Sequence, residues 1–230
     1  MNELIQQISI MALPLIFAVT LHEAAHAWVA DKKGDPTARK LGRITMNPVA
    51  HIDPFGTVLI PLMLFATTGF IFGYAKPVPV NPMNLRRPKE DMAWVAAAGP
   101  GMNLILAVIS GILYRLISDP IFLEGGSLFS DMDRTLSFFL LPLREMFRFS
   151  VIINVVLMVF NLIPIPPLDG GRVLVGLLPR NQSRMVSRVE PYGMLVLVFV
   201  VFMDPFGLMR NVVWPLVSVV ARYIFGDVII

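Results

Sequence analysis

Long apolar runs separated by short polar loops dominate this chain. The first covers residues 4–30, within which Ile8–Val19 carries no charge; further runs cover Pro54–Phe72, Met92–Ile117 and Ser150–Ile163. A last run, about 191–226, is interrupted at Asp204-Pro205-Phe206-Gly207. A helix needs roughly 20 apolar residues to cross the hydrocarbon of a bilayer. The pattern therefore predicts an all-α polytopic membrane protein with about five to six transmembrane helices. It reads as one integral membrane domain over 1–230, with a core at about 4–178 and C-terminal helices at about 185–226.

Two stretches depart from that pattern. Residues 73–82 carry Pro77, Pro79 and Pro82, too many prolines for a helix interior, and are expected to form a re-entrant or short extended β segment. Residues 134–149 set Arg134, Arg144, Glu145 and Arg148 among Leu and Phe, which predicts an amphipathic helix in the interface.

Loop charge orients the runs. The loops at 31–43, 86–89 and 172–188 are basic, whereas 118–133 holds four acids and no Lys or Arg. Positive loops stay cytoplasmic, so the acidic loop is expected outside. Two basic loops then flank Pro54–Phe72 on the same side, which favours a re-entrant element with break points at Gly56, Pro61 and Gly69 over a single crossing.

Composition agrees. Of 230 residues 56% are hydrophobic and 15% charged, with mean hydropathy +0.70; a soluble domain carries about 25% charged residues. The pI of 9.4 comes from loop residues that topology explains, with no basic block interleaved with aromatics, so no nucleic-acid partner is expected. There is no cysteine, which excludes disulfides and thiolate ligation. The N-terminus lacks a positive n-region and a cleavage site, and reads as a retained first helix.

Chemistry enters at His22-Glu23-Ala24-Ala25-His26. Two histidines four apart leave one helix face about a turn from each other, the spacing at which two imidazoles meet one Zn²⁺. The intervening Glu23 is placed to act as general base toward water. Ionisable groups in an apolar helix are costly and mark function. A catalytic zinc needs a third ligand, and the residues alone leave two candidates open: His51 in Asn47–Pro54, and Asp169 in Asn161–Gly171. For His51 a hydrogen-bonded turn histidine is the plainer reading, with a place lining the site as the alternative.

The pairing of His22–His26 in an early apolar helix with Asn161-Leu-Ile-Pro-Ile-Pro-Pro-Leu-Asp169-Gly-Gly171 in a late one resembles the site-2 protease family of intramembrane zinc metalloproteases (peptidase family M50). Ala98–Asn103 and Gly73–Pro82 are also similar to family segments, and the likeness runs from residue 20 to about 178. The resemblance implies one Zn²⁺ per chain held by His22, His26 and Asp169, with Glu23 as catalytic base and Asn161 and Asn103 near the substrate. The chain resembles the compact branch without PDZ or CBS domain; that compactness points to a bacterial or archaeal plasma membrane, and the basic loop after the motif sets the site toward the cytoplasm. The expected substrate is a transmembrane protein or peptide, which must unwind before its carbonyls are open to attack. The Ala75–Val80 segment, through Val78 and Val80, would then pair with it by β-addition. The rival readings are a catalytically inactive homologue that binds membrane helices and a metal transporter; oligomeric state is not legible.

Overall fold

Helices carry most of the described chain. The computed structural model describes residues 2–59, 63, 76–118, 130–193, 195, 199, 203, 204 and 207–225. Its main helices are α1 (Asn2–Lys33), α2 (Pro88–Ser118), α3 (Ser130–Asn161), α4 (Asp169–Leu177), α5 (Arg180–Ser187) and α6 (Trp214–Phe225). Among the described residues there is no strand. Among the described residues two helical stretches, Ser9–Lys33 and Pro88–Ser118, are long and apolar enough to cross a membrane, fewer than the five or six expected. Most of the Pro54–Phe72 run and much of the last run lie outside the described residues.

Three expectations change. The interfacial helix at 134–149 and the run at 150–163 are one helix, α3, which continues through Pro142. Proline removes one backbone donor, and the turns on either side carry the helix past it. The third run starts earlier than its apolar pattern, at Pro88. Proline suits a first helical turn, and Asp91 stabilises that turn by accepting from the Arg87 amide at 2.7 Å.

The third change concerns the β segment, of which 73–75 lie outside the described residues. Lys76–Asn81 forms no ladder, because Pro77 and Pro79 have no N–H and other groups hold three of the remaining amides. Lys76 donates to the His51 carbonyl at 3.0 Å, Val78 to Glu23 Oε2 at 2.8 Å and Asn81 to Asp35 Oδ2 at 2.6 Å.

The chain divides into two compact units, one of Met1–Ala18, Asn103–Asn161 and Met194–Ile230, the other of Val19–Met102 and Leu162–Gly193. Within the first, polar groups face inward. Asn103 donates to Asn154 Oδ1 at 2.8 Å, the Ser110 and Ser150 hydroxyls meet at 2.8 Å, and Arg115 donates to the Tyr223 and Phe225 carbonyls. Leu104, Ile105, Val108, Ile109 and Ile112 are instead exposed along α2. Polar contacts inside and an apolar exterior are what lipid as solvent selects. In the second unit, Ala30, Leu85 and Val95 form a small core on which Val29, Val80 and Met92 pack.

Candidate metal centre

The second unit contains the site. The helical repeat of α1 puts His22 and His26 one turn apart, with Nε2 atoms 3.0 Å from each other and rings edge to face. From α2, the Val95 carbonyl lies 2.7 Å from His26 Nδ1. A carbonyl only accepts, so Nδ1 carries the proton and Nε2 of the neutral ring presents its lone pair inward.

Asp169, the first residue of α4, brings Oδ2 to 3.1 Å from His22 Nε2 and 3.4 Å from His26 Nε2. That oxygen is buried and receives no hydrogen bond. Its placement depends on Gly170 and Gly171. A Cβ on Gly170 would strike the Leu162 and Ile163 carbonyls, and one on Gly171 the backbone of Ile165 and Pro166. The two glycines thus let α4 start hard against the loop that precedes it.

Two imidazole nitrogens and a carboxylate oxygen at 3.0–3.4 Å repel one another unless a cation sits among them. Ligands about 2.0–2.1 Å from a tetrahedral zinc stand about 3.3 Å apart, so the three atoms fit the ion. Gly99 keeps the space open: a Cβ there would lie 2.5 Å from His22 Cε1, His22 Nε2 and His26 Nε2. Glu23 neighbours His22 and accepts from the Val78 amide.

His51 takes no part in this cluster. It is 2% exposed, its Nε2 lies 3.1 Å from the Thr45 carbonyl, and it closes a short turn at Pro48–His51. Val80 packs on the Ala30–Leu85–Val95 core. Val78 and Val80 also line a cavity of about 470 Å³ together with Met92, Pro166, Gly171 and Arg172. Asn161 and Asn103 belong to the other unit, where Asn161 donates to the Leu157 carbonyl at 3.0 Å.

Sequence reasoning missed the supporting residues. The signal for Gly99 was a Gly-Pro-Gly inside a helical pattern. Asp35, fully buried, had none beyond its place after α1. Burial alone would raise its pKa; the Thr37 hydroxyl, the Asn84 side chain and the Asn81 and Thr37 amides all donate to it and hold it below the ordinary carboxylate value.

Residues 10–144 and 141–203 match the sequence profile of peptidase family M50. The chain is 38% identical over 208 residues to "Putative zinc metalloprotease YwhC" of Bacillus subtilis, covering 90% of this chain and 85% of that protein. It is 28% identical over 187 residues to "Putative zinc metalloprotease Rip2" of Mycolicibacterium smegmatis, covering 80% of this chain and 62% of that protein. The Rip2 of Mycobacterium tuberculosis strain H37Rv is 27% identical over 83% of this chain and 65% of its own length. No solved structure matches the chain.

Proposed function

The chain belongs to peptidase family M50 and is a metalloprotease; from that premise we propose that it is a zinc endopeptidase cutting other proteins in or near their transmembrane segments. The observation that carries this reading is the convergence of His22 Nε2, His26 Nε2 and Asp169 Oδ2 in a chain with two helices apolar enough to span a bilayer.

One zinc per chain would be held by His22, His26 and Asp169. When bound, it supplies a Lewis acid for the peptide carbonyl and lowers the pKa of water. Glu23 accepts the proton of the attacking water and returns it to the leaving amide nitrogen. The Val95 carbonyl keeps the His26 ring in the ligating tautomer. Val78 and Val80 contact the locally unwound substrate from the wall of the cavity.

Aromatic residues support a site near the membrane surface. Trp28 is exposed with the Lys32 ammonium 5.7 Å from its ring, and Trp94 is exposed with Lys33 at the same distance. Trp beside Lys is an interfacial arrangement. At 1.5 Å per residue, His26 and His22 lie about 3 and 9 Å deeper along α1 than Trp28. Water then reaches them from the side of the basic loop, the cytoplasmic side of a bacterial or archaeal plasma membrane, while the substrate helix arrives through lipid. The full chain is multi-pass, with five to six membrane helices, and its partners are the bilayer and a transmembrane substrate, not nucleic acid.

The test is cleavage of a panel of transmembrane segments by wild type and Glu23→Gln, with zinc content measured in both. Glu23→Gln should keep zinc and lose cleavage; equal cleavage by both proteins refutes the reading.

A further inference from the structure

We propose that Arg43 is a positioning residue for Glu23, acting through the peptide plane that joins Pro77 to Val78. This rests on the reading of Glu23 as general base. Arg43 is 8% exposed; its Nε is buried without a hydrogen-bond partner, and both terminal nitrogens are engaged, as a buried guanidinium requires. Its partners are backbone carbonyls: Nη1 donates to Ala50 O, and Nη2 to Lys76 O at 2.6 Å and to Pro77 O at 3.4 Å. A planar fork of donors suits several acceptors fixed in space; a lysine ammonium on a flexible stem does not reproduce it.

The geometry links this grip to Glu23. A trans peptide is planar, with C=O and N–H pointing to opposite sides. Holding the Pro77 oxygen on one side aims the Val78 N–H at whatever lies on the other, and there Glu23 Oε2 accepts it at 2.8 Å. Pro77 and Pro79 leave Val78 without a donating neighbour on either side. Polarisation of that peptide by the cation also strengthens the N–H as a donor. At the far end, Asp35 accepts from the Asn81 amide at 2.6 Å and from Asn84 Nδ2 at 2.9 Å. Lys76–Asn81 is thus fixed at both ends, with the contact to Glu23 between them.

The experiment uses the full chain in detergent with a transmembrane reporter. Arg43→Gln and Arg43→Lys should each lower kcat by about 10- to 100-fold, the range for residues that orient a site's working groups. KM should move less than about threefold and zinc should stay near one per chain. Val78→Pro deletes the N–H and should lose kcat to a similar extent. Val78→Ala, which keeps it, should retain at least about tenfold more kcat than Val78→Pro. Because both routes run through one peptide, Arg43→Gln/Val78→Pro should be no slower than the slower single variant within about threefold.

Hydrogen exchange gives a readout independent of activity: the Val78 amide should exchange at least about tenfold faster in Arg43→Gln and in Glu23→Ala. Wild-type kcat in Arg43→Gln, multiplying losses in the double variant, or unchanged Val78 exchange in both variants would each overturn the proposal. So would activity lost only in step with zinc or folded protein. If Arg43→Gln does not fold, Val78→Pro against Val78→Ala and the Glu23→Ala exchange decide. Cleavage by Glu23→Gln at the wild-type rate would instead remove the premise about Glu23, while the exchange data still report the Arg43–Val78 link.

Discussion

Gly99→Ala tests the metal centre from outside its ligands. The added methyl carbon would lie 2.5 Å from His22 Nε2 and from His26 Nε2, about 0.9 Å inside ordinary van der Waals contact. Metal–ligand distances tolerate only about ±0.2 Å, so the rings cannot yield by that much and still hold zinc. Overpacking of this kind costs about 1–3 kcal/mol. If the strain is relieved when the ion leaves, zinc affinity falls about 5- to 150-fold. Helix propensity works the other way: Gly to Ala inside a helix gains roughly 0.5–1 kcal/mol. Gly101, two residues along the same helix, is the control, since a Cβ there meets nothing within 4 Å. Chelator competition with metal analysis should show weakened zinc binding in Gly99→Ala and none in Gly101→Ala. Wild-type zinc affinity in Gly99→Ala, or equal loss in both variants, would refute the reasoning.

The remaining predictions concern ligand choice and acid sensitivity. Asp169→Ala should abolish stoichiometric zinc in purified protein, whereas His51→Ala should keep it and lose thermal stability. Asp35 has a folded pKa below its unfolded value, so its contribution is complete above about pH 3.9 and fades as pH falls through the lower folded value. The difference in melting temperature between wild type and Asp35→Asn should therefore be largest near neutrality and shrink as pH drops below about 4.

The ligand helix was legible because a period of 3.6 residues puts positions 22 and 26 on one face whatever surrounds them. The third member of the cluster was not, since local spacing does not say which distant loop returns to α1, and both His51 and Asp169 sit beside prolines at the ends of apolar runs. Family resemblance named Asp169; its unpartnered Oδ2 supplies the physical reason. Charge counting hid as much as it told. Lys32, Lys33, Arg39, Lys40 and Arg43 entered as five equal votes for topology, yet Arg43 is buried on three carbonyls and Lys33 pairs with the buried Asp91 at 3.2 Å. A formal charge in a sequence does not reveal whether it faces water. The helix α3 divides between residues 149 and 150 in the sequence reading for a related reason: composition changes along it, but its backbone does not.

The bond from the Lys76 amide to the His51 carbonyl, at 3.0 Å, bears on where the chain accepts an insertion. It ties the departure and the return of residues 52–75 to one place, and Arg43 fastens the same junction through Ala50 and Lys76. The register of Val78 against Glu23 is thus held by contacts on both sides of that stretch. An insertion between residues 52 and 75 should therefore leave the Val78–Glu23 contact in place, read as wild-type hydrogen exchange at the Val78 amide.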